Sequence, residues 1–210
     1  MRACNLRPED DLVLVGDLVA KGPNSAEVVR ICRQRNAKAV MGNHDAALVK
    51  YHQAKRRGEH TGLRAGHEAV AQTLSEEDFH YLESLPLWLE FPELDALVVH
   101  AGLVQGIPME EQDPQMLMNM RTIDAYGQPS AEWDAGPLWG ASYHGPRFVY
   151  FGHHAAAGLQ QYAYALGLDT GCVYGRRLSG FLLPEGRLVS VRAERMYQEP
   201  VRLRERAVAS

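Results

Sequence analysis

A chain of 210 residues with 46% hydrophobic content can bury one substantial core and reads as a single domain. Its net charge of −4 excludes a general nucleic-acid or membrane-surface binder, although a few local cations can still admit an anionic ligand. Cys4, Cys32 and Cys172 are too scattered for a disulfide framework or a thiolate zinc site, and no apolar run reaches membrane-spanning length, so a reducing, cytoplasmic setting is expected.

In chain order, Asp11-Leu-Val-Leu-Val-Gly16 is a short apolar run ending in glycine, the pattern of a strand buried on both faces. Pro23-Asn24-Ser25 caps a helix over about residues 26–35, whose Val28, Val29, Ile31 and Cys32 form an apolar stripe. Lys38-Ala-Val-Met41 repeats the strand-then-glycine pattern, so strand, helix and strand make a βαβ unit with a parallel pair. Residues 46–85 read as helices, broken by a basic, glycine-containing stretch over 55–66, with an N-cap at Ser75. Residues 87–91 and 96–100 form a strand pair, and a helix opens at Asp113-Pro114. Residues 124–146 read as a structured loop. The last third is β-rich: 147–151 feeds Gly152, 164–168 feeds Asp169, and two strands flank the turn Pro184-Glu-Gly186. The domain spans 1–198, followed by a frayed tail over 199–210.

Ligands of an open α/β sheet sit beyond the carboxyl ends of its strands, and Asp17, Asn43, His100 and His153 each fall just past a predicted strand. Any one of them alone reads as a turn or hydrogen-bonded residue, but the ordered set points to a metal site. An Asp carboxylate can bridge two cations, an Asn carbonyl is a hard neutral donor, and two imidazoles suit zinc, iron or manganese. A two-metal site, with ions about 3.5–4 Å apart, activates a hydroxide and neutralises charge developing on phosphoryl oxygens. His44, beside Asn43, is placed as the general acid that protonates the leaving oxygen.

The segments Gly16-Asp-Leu-Val-Ala-Lys21-Gly-Pro-Asn-Ser25, Gly42-Asn-His-Asp45, His100-Ala-Gly-Leu103, Phe151-Gly-His153 and Leu168-Asp-Thr-Gly-Cys-Val-Tyr-Gly175 resemble the calcineurin-like metallophosphoesterases. Within them the chain is similar to the ApaH-like phosphatases, relatives of symmetrical diadenosine-tetraphosphate hydrolases and of Ser/Thr phosphoprotein phosphatases. The resemblance implies an α/β fold, a β-sandwich flanked by helices with a dimetal site at its rim. It implies two divalent ions, of manganese, zinc, iron or cobalt, with Asp17 bridging them and Asn43, His100 and His153 binding the second. His44 is then the proton donor in an in-line attack by metal-bound hydroxide. Asn43, Lys21 and Arg121 meet the substrate phosphate. Lys21 replaces a family arginine, and Arg121 has the alternative of a solvated helix arginine.

The implied substrates are dinucleoside polyphosphates, other nucleotide pyrophosphates such as RNA caps, or inorganic polyphosphate. A phosphoprotein is the alternative, weakened by Lys21 and by Ala20, which stands where phosphoprotein phosphatases carry the Asp partner of their catalytic histidine. The family also opens with a strand and Gly-Asp-x-His-Gly, whose Asp and His bind the first metal, and nothing ahead of Asp17 matches it. The chain is therefore expected to lack a first strand and helix and to hold the first metal weakly. A start placed roughly 30–40 residues too late is the favoured explanation. The other is a true short form, impaired as an enzyme and serving as a binding module. His154 receives no role. His52, His60, His67, His80 and His144 lack ligand spacing and read as structural or solvent-facing. Asp169 reads either as orienting a ligand histidine or as capping its own turn, and Cys172 as a small buried residue.

Overall fold

The computed structural model describes residues 4–200, so most of the expected tail lies outside the described residues. β1 (Val13–Leu14), α1 (Ser25–Gln34) and β2 (Lys38–Ala39) form the expected βαβ unit, with Val13 opposite Lys38 in a parallel pair. Both strands are much shorter than the apolar runs that announce them, and β1 is half-buried instead of covered on both faces. The reason lies at Val15. Its carbonyl accepts the Nδ1–H of His100 at 2.7 Å, and the chain then turns through positive φ at Gly16 (+87°) and Asp17 (+55°).

Three helices follow: α2 (Asn43–Arg56), α3 (Ala65–Ala71) and α4 (Glu76–Glu83). Val29 and Cys32 of α1, Leu48 and Val49 of α2, and Phe79 and Leu82 of α4 close on Leu18, Val19 and Ala37 as one apolar core. Leu48 and Leu82 are fully buried, and each such side chain contributes about 1.5–3 kcal/mol through area removed from water. Ser75 caps α4 reciprocally: its Oγ accepts from the Asp78 N–H, and Asp78 Oδ2 accepts from the Ser75 N–H. Asp78 also takes the Arg33 guanidinium at 2.7 Å, tying α4 to α1.

The second core is a sheet. β3 (Trp88–Phe91) and β4 (Ala96–Val99) pair antiparallel, and α5 (Pro114–Asn119) starts where Asp113 caps it. A small pair, β5 (Thr122–Ile123) with β6 (Pro129–Ser130), lies at the start of the long loop. β7 (Phe148–Phe151), β8 (Gln160–Gln161) and β9 (Ala165–Gly167) complete a five-stranded sheet of order β3-β4-β7-β9-β8. β4, β7 and β9 run parallel, so their carboxyl ends share one edge. Leu97, Val99, Val149, Phe151 and Ala165 pack there with Leu117, Met120 and Trp139. The hairpin of β10 (Arg177–Leu182) and β11 (Arg187–Arg192) leans on this sheet through Phe181, whose ring centroid lies 5.8 Å from that of Tyr150.

A mixed sheet with helices is the expected α/β class. Among the described residues no helix is long and apolar enough to cross a membrane.

Candidate metal centre

Asp17 follows β1, Asn43 opens α2, His100 directly follows β4, and His153 follows β7. Turns from both cores thus converge. Asn43 Oδ1 lies 3.2 Å from His100 Nε2 and 3.1 Å from His153 Nδ1, and the two imidazole nitrogens are 3.2 Å apart. Asp17 Oδ1 is 3.5 Å from His100 Nε2. Ligand bonds of about 2.1 Å to a shared cation place neighbouring donor atoms about 3.0 Å apart in an octahedron and about 3.4 Å apart in a tetrahedron. The observed spacings match one coordination sphere.

Proton bookkeeping leads to the same place. A carbonyl only accepts, so the short contact to Val15 puts a His100 proton on Nδ1, and Nε2 of the neutral ring is then the lone-pair nitrogen. Burial, reinforced by His100 and Arg121, pushes His153 far below its ordinary range, so it is neutral at pH 7 and brings at most one proton to the cluster. Lone pairs of Asp17, Asn43 and neutral His100 therefore meet with too few protons between them. Such an arrangement is costly unless a cation occupies it. One carboxylate, one amide carbonyl and two imidazoles suit a divalent transition ion, and the Val15–His100 bond is the kind of outer support that fixes a ligand histidine. The residues present fit a metal.

Asp45 locks together the two loops that carry Asp17 and Asn43. Fully buried, it accepts from the N–H groups of Gly42 (2.9 Å), Asp17 (2.8 Å) and Val19 (3.2 Å). Burial and the neighbouring Asp17 charge push its carboxyl up, while these three donors pull it back. Only glycine fits at position 42, because a Cβ there would lie 2.3 Å from the backbone nitrogen and Oδ1 of Asp17. Positive φ also occurs at Ala20 (+71°), Lys21 (+58°) and His153 (+69°), a local concentration of strain at about 1–3 kcal/mol each. The motif Gly-Asn-His-Asp contained Asp45, but sequence reading gave it no task. Its place three residues past the helix cap was the available signal.

His44 is buried beside this cluster. Its backbone N–H donates to Asp17 Oδ1 at 3.0 Å, and its Nε2 stands 3.9 Å from Asp17 Oδ2. Burial pushes the imidazole down to about 4, with the Asp17 carboxylate pulling the other way and Lys21 adding to the fall. The ring is thus neutral at pH 7 in the ligand-free protein. Its Nδ1 lies 2.8 Å from Nε2 of His67. Of the two expectations for His67, structural or solvent-facing, the second fails: the ring is buried and hydrogen-bonded. It sits on α3, far from every motif, so no local pattern announced it.

The remaining expected residues divide. Lys21 is exposed, with Nζ 5.7 Å from the Tyr174 ring centroid. Arg121 is no solvated helix arginine. It lies between α5 and β5, half-buried, and donates to the Ala131 carbonyl at 2.5 Å. Burial lowers its pKa, and its charge is felt at His153. Asp169 accepts from the Gly171 N–H at 3.1 Å, as the turn reading expected, and its carboxyl, pushed up by burial, also senses Asp17 and His100. His154 has a buried Nδ1 without a partner, and burial pushes it down to about 4. His52 stacks on Phe79 in the helical core, and His60, His80 and His144 are exposed. Cys172 is half-buried, not fully enclosed.

The sequence profile of the calcineurin-like phosphoesterases matches residues 2–164. The chain belongs to that family. It is a metal-dependent hydrolase of phosphoester or phosphoanhydride bonds. Among curated relatives, the asymmetrical bis(5'-nucleosyl)-tetraphosphatase PrpE of Oceanobacillus iheyensis is 27% identical over 86% of this chain and 76% of its own length. PrpE of Bacillus subtilis is 28% identical, covering 90% and 82%, and PrpE of Halalkalibacterium halodurans 30% identical, covering 86% and 78%. The crystal structure of a candidate diadenosine tetraphosphatase is 37% identical, with a TM-score of 0.81 over 91% of this chain and 85% of that one. A metallophosphoesterase from Sphaerobacter thermophilus, 20% identical with a TM-score of 0.52 over 89% and 78%, shares the fold.

Proposed function

We propose that this calcineurin-like phosphoesterase hydrolyses dinucleoside polyphosphates, with Asp17, Asn43, His100 and His153 holding a divalent cation and His44 protonating the leaving oxygen. The observation that carries the reading is the convergence of Asp17 Oδ1 and Asn43 Oδ1 on His100 Nε2, at 3.5 and 3.2 Å, with His153 Nδ1 3.1 Å from Asn43 Oδ1. Bound there, manganese, zinc, iron or cobalt supplies a Lewis acid that activates water and neutralises phosphoryl charge. Asp17 turns Oδ1 toward His100 and Oδ2 toward His44, and its carboxylate would also help to hold a second cation, which would add to the neutralisation of phosphoryl charge.

The protein's own groups do the rest. Val15 and Asp45 hold His100 and the Asp17 loop in place before substrate arrives. Lys21 and Arg121 bring positive charge to the phosphates, and Asn43 stands at the helix N-terminus, where anions are favoured. The charge of a polyphosphate raises the pKa of the neutral His44, so its proton arrives from water together with the substrate. The three free cysteines agree with a reducing, cytoplasmic setting.

The tetraphosphatase names of relatives at 27–30% identity support the substrate class. Turnover of diadenosine tetraphosphate, a capped dinucleotide, inorganic polyphosphate and a phosphopeptide with Mn²⁺ tests it. We expect diadenosine tetraphosphate to react fastest, to yield ATP and AMP, and to stop reacting on chelation. A phosphopeptide reacting faster overturns the reading in favour of a phosphoprotein phosphatase. Stoichiometric metal with no turnover of any of the four overturns it in favour of a binding module.

A further inference from the structure

His44 makes two contacts through its ring, and they face different ways. Nε2 stands 3.9 Å from Asp17 Oδ2, on the side of the metal cluster, whereas Nδ1 stands 2.8 Å from Nε2 of His67. The ring centroids are 4.9 Å apart with planes 30° from parallel, so with nitrogens this close the rings meet edge to edge. That is the geometry of an in-plane N–H···N hydrogen bond, not of stacking. Both residues are 9% exposed, so bulk water cannot readily take the place of either partner.

One proton lies between the two nitrogens, and the chemistry of a proton donor decides whose it is. A histidine that gives up the proton on Nε2 must keep the one on Nδ1, in both its charged and its neutral form. We propose that His67 is a positioning residue: its Nε2 accepts the Nδ1–H of His44 and holds that ring with Nε2 toward the leaving oxygen. The inference rests on His44 being the proton donor. As the P–O bond breaks, its electron pair passes to the leaving oxygen, which takes the Nε2 proton and becomes a hydroxyl. His44 is left neutral with its Nδ1–H still on His67, and water restores the Nε2 proton. Burial, with Arg64 and Lys21 nearby, favours the neutral form of His67, which is the form that can accept.

His67 belongs to α3, and its backbone N–H bonds Arg64 O at 2.8 Å, at the start of that helix. The helix that follows the break in sequence therefore reaches the chemistry through one side chain. Loss of that acceptor leaves a buried N–H unpaired and the His44 ring free to turn.

The test compares His67→Ala, His67→Gln and His44→Ala on phenyl phosphate and on p-nitrophenyl phosphate, whose leaving group needs little protonation. We expect His67→Ala to lower kcat on phenyl phosphate about 10–100-fold, with KM within about threefold and a much smaller loss on p-nitrophenyl phosphate. His67→Gln, which keeps an acceptor, recovers most of that loss. If His44→Ala shows the leaving-group selectivity and His67→Ala does not, or if glutamine is no better than alanine, the positioning role is wrong while the donor role stands. If His44→Ala loses equally on both substrates, the donor role itself is wrong.

Nitrogen-15 spectra of the imidazoles in the metal-free protein give a readout independent of turnover. They should show neutral His44 protonated at Nδ1 in the wild type and in His67→Gln. In His67→Ala that fixed preference should be lost. A wild-type His44 that carries its proton on Nε2 and accepts from His67 contradicts the inference.

Discussion

Asp17, Asn43, His100 and His153 stand at the ends of strands or the opening of a helix, and the backbone holds them from behind. His100 is pinned by the Val15 carbonyl at 2.7 Å, and Asp17 by the three N–H groups gathered on Asp45. His44 and His67 stand on separate helices, and one 2.8 Å contact holds their rings together. The first group is rigid by topology and the second by a single side-chain bond. A metal site needs fixed lone pairs, whereas a proton donor needs one correct orientation, and the two parts suit the roles proposed for them.

Asn43→Ala breaks the first part most severely, since Asn43 Oδ1 touches both imidazole nitrogens. We expect metal affinity and turnover to fall about 10²–10³-fold, beyond what outer support residues usually cost, with Mn²⁺ titration as the measurement. His44→Ala separates the two parts. It should lower kcat on phenyl phosphate about 10²-fold or more while leaving metal affinity within about threefold.

Asp78→Asn asks whether the helical half is held independently of the site. The carboxyl is opposed by burial, but the Ser75 N–H and hydroxyl and the Arg33 guanidinium outweigh that and hold it below its ordinary value. A depressed carboxylate stabilises the fold above its unfolded pKa, near 3.9, and that contribution disappears as pH falls through the lower folded value. Denaturant melts should show Asp78→Asn costing about 1–2 kcal/mol at pH 7 and lacking this part of the wild-type loss below about pH 4, with metal affinity unchanged. Lys21→Ala gives the smallest effect. An exposed cation near the cluster should matter by about 1 kcal/mol, read as a KM about fivefold higher with kcat little changed.

The same contrast explains what the sequence made legible. Metal-site candidates could be read because each follows an apolar run and two parallel pairings, β1 with β2 and β4 with β7, each bring strand ends to one edge. His67 could not, because it lies on a seven-residue helix behind a glycine-containing break, and only the packing of α3 against α2 brings it to His44. The alternative of a solvated helix arginine fails at Arg121 for a related reason. α5 ends at Asn119, and the backbone of the long loop captures the guanidinium at Ala131. β1 ended early because the Val15 carbonyl serves His100, a demand that no local propensity reveals. Local patterns foretold the capped helix at Ser75 and the parallel βαβ unit, whose causes lie within a few residues.

Anomalous diffraction from Mn²⁺-soaked crystals of the wild type and of His153→Ala tests the central claim most directly. The account predicts a manganese peak enclosed by Asp17 Oδ1, Asn43 Oδ1, His100 Nε2 and His153 Nδ1, strongly reduced or lost in His153→Ala. Manganese bound elsewhere in the wild type, or bound equally well once His153 is removed, would contradict it.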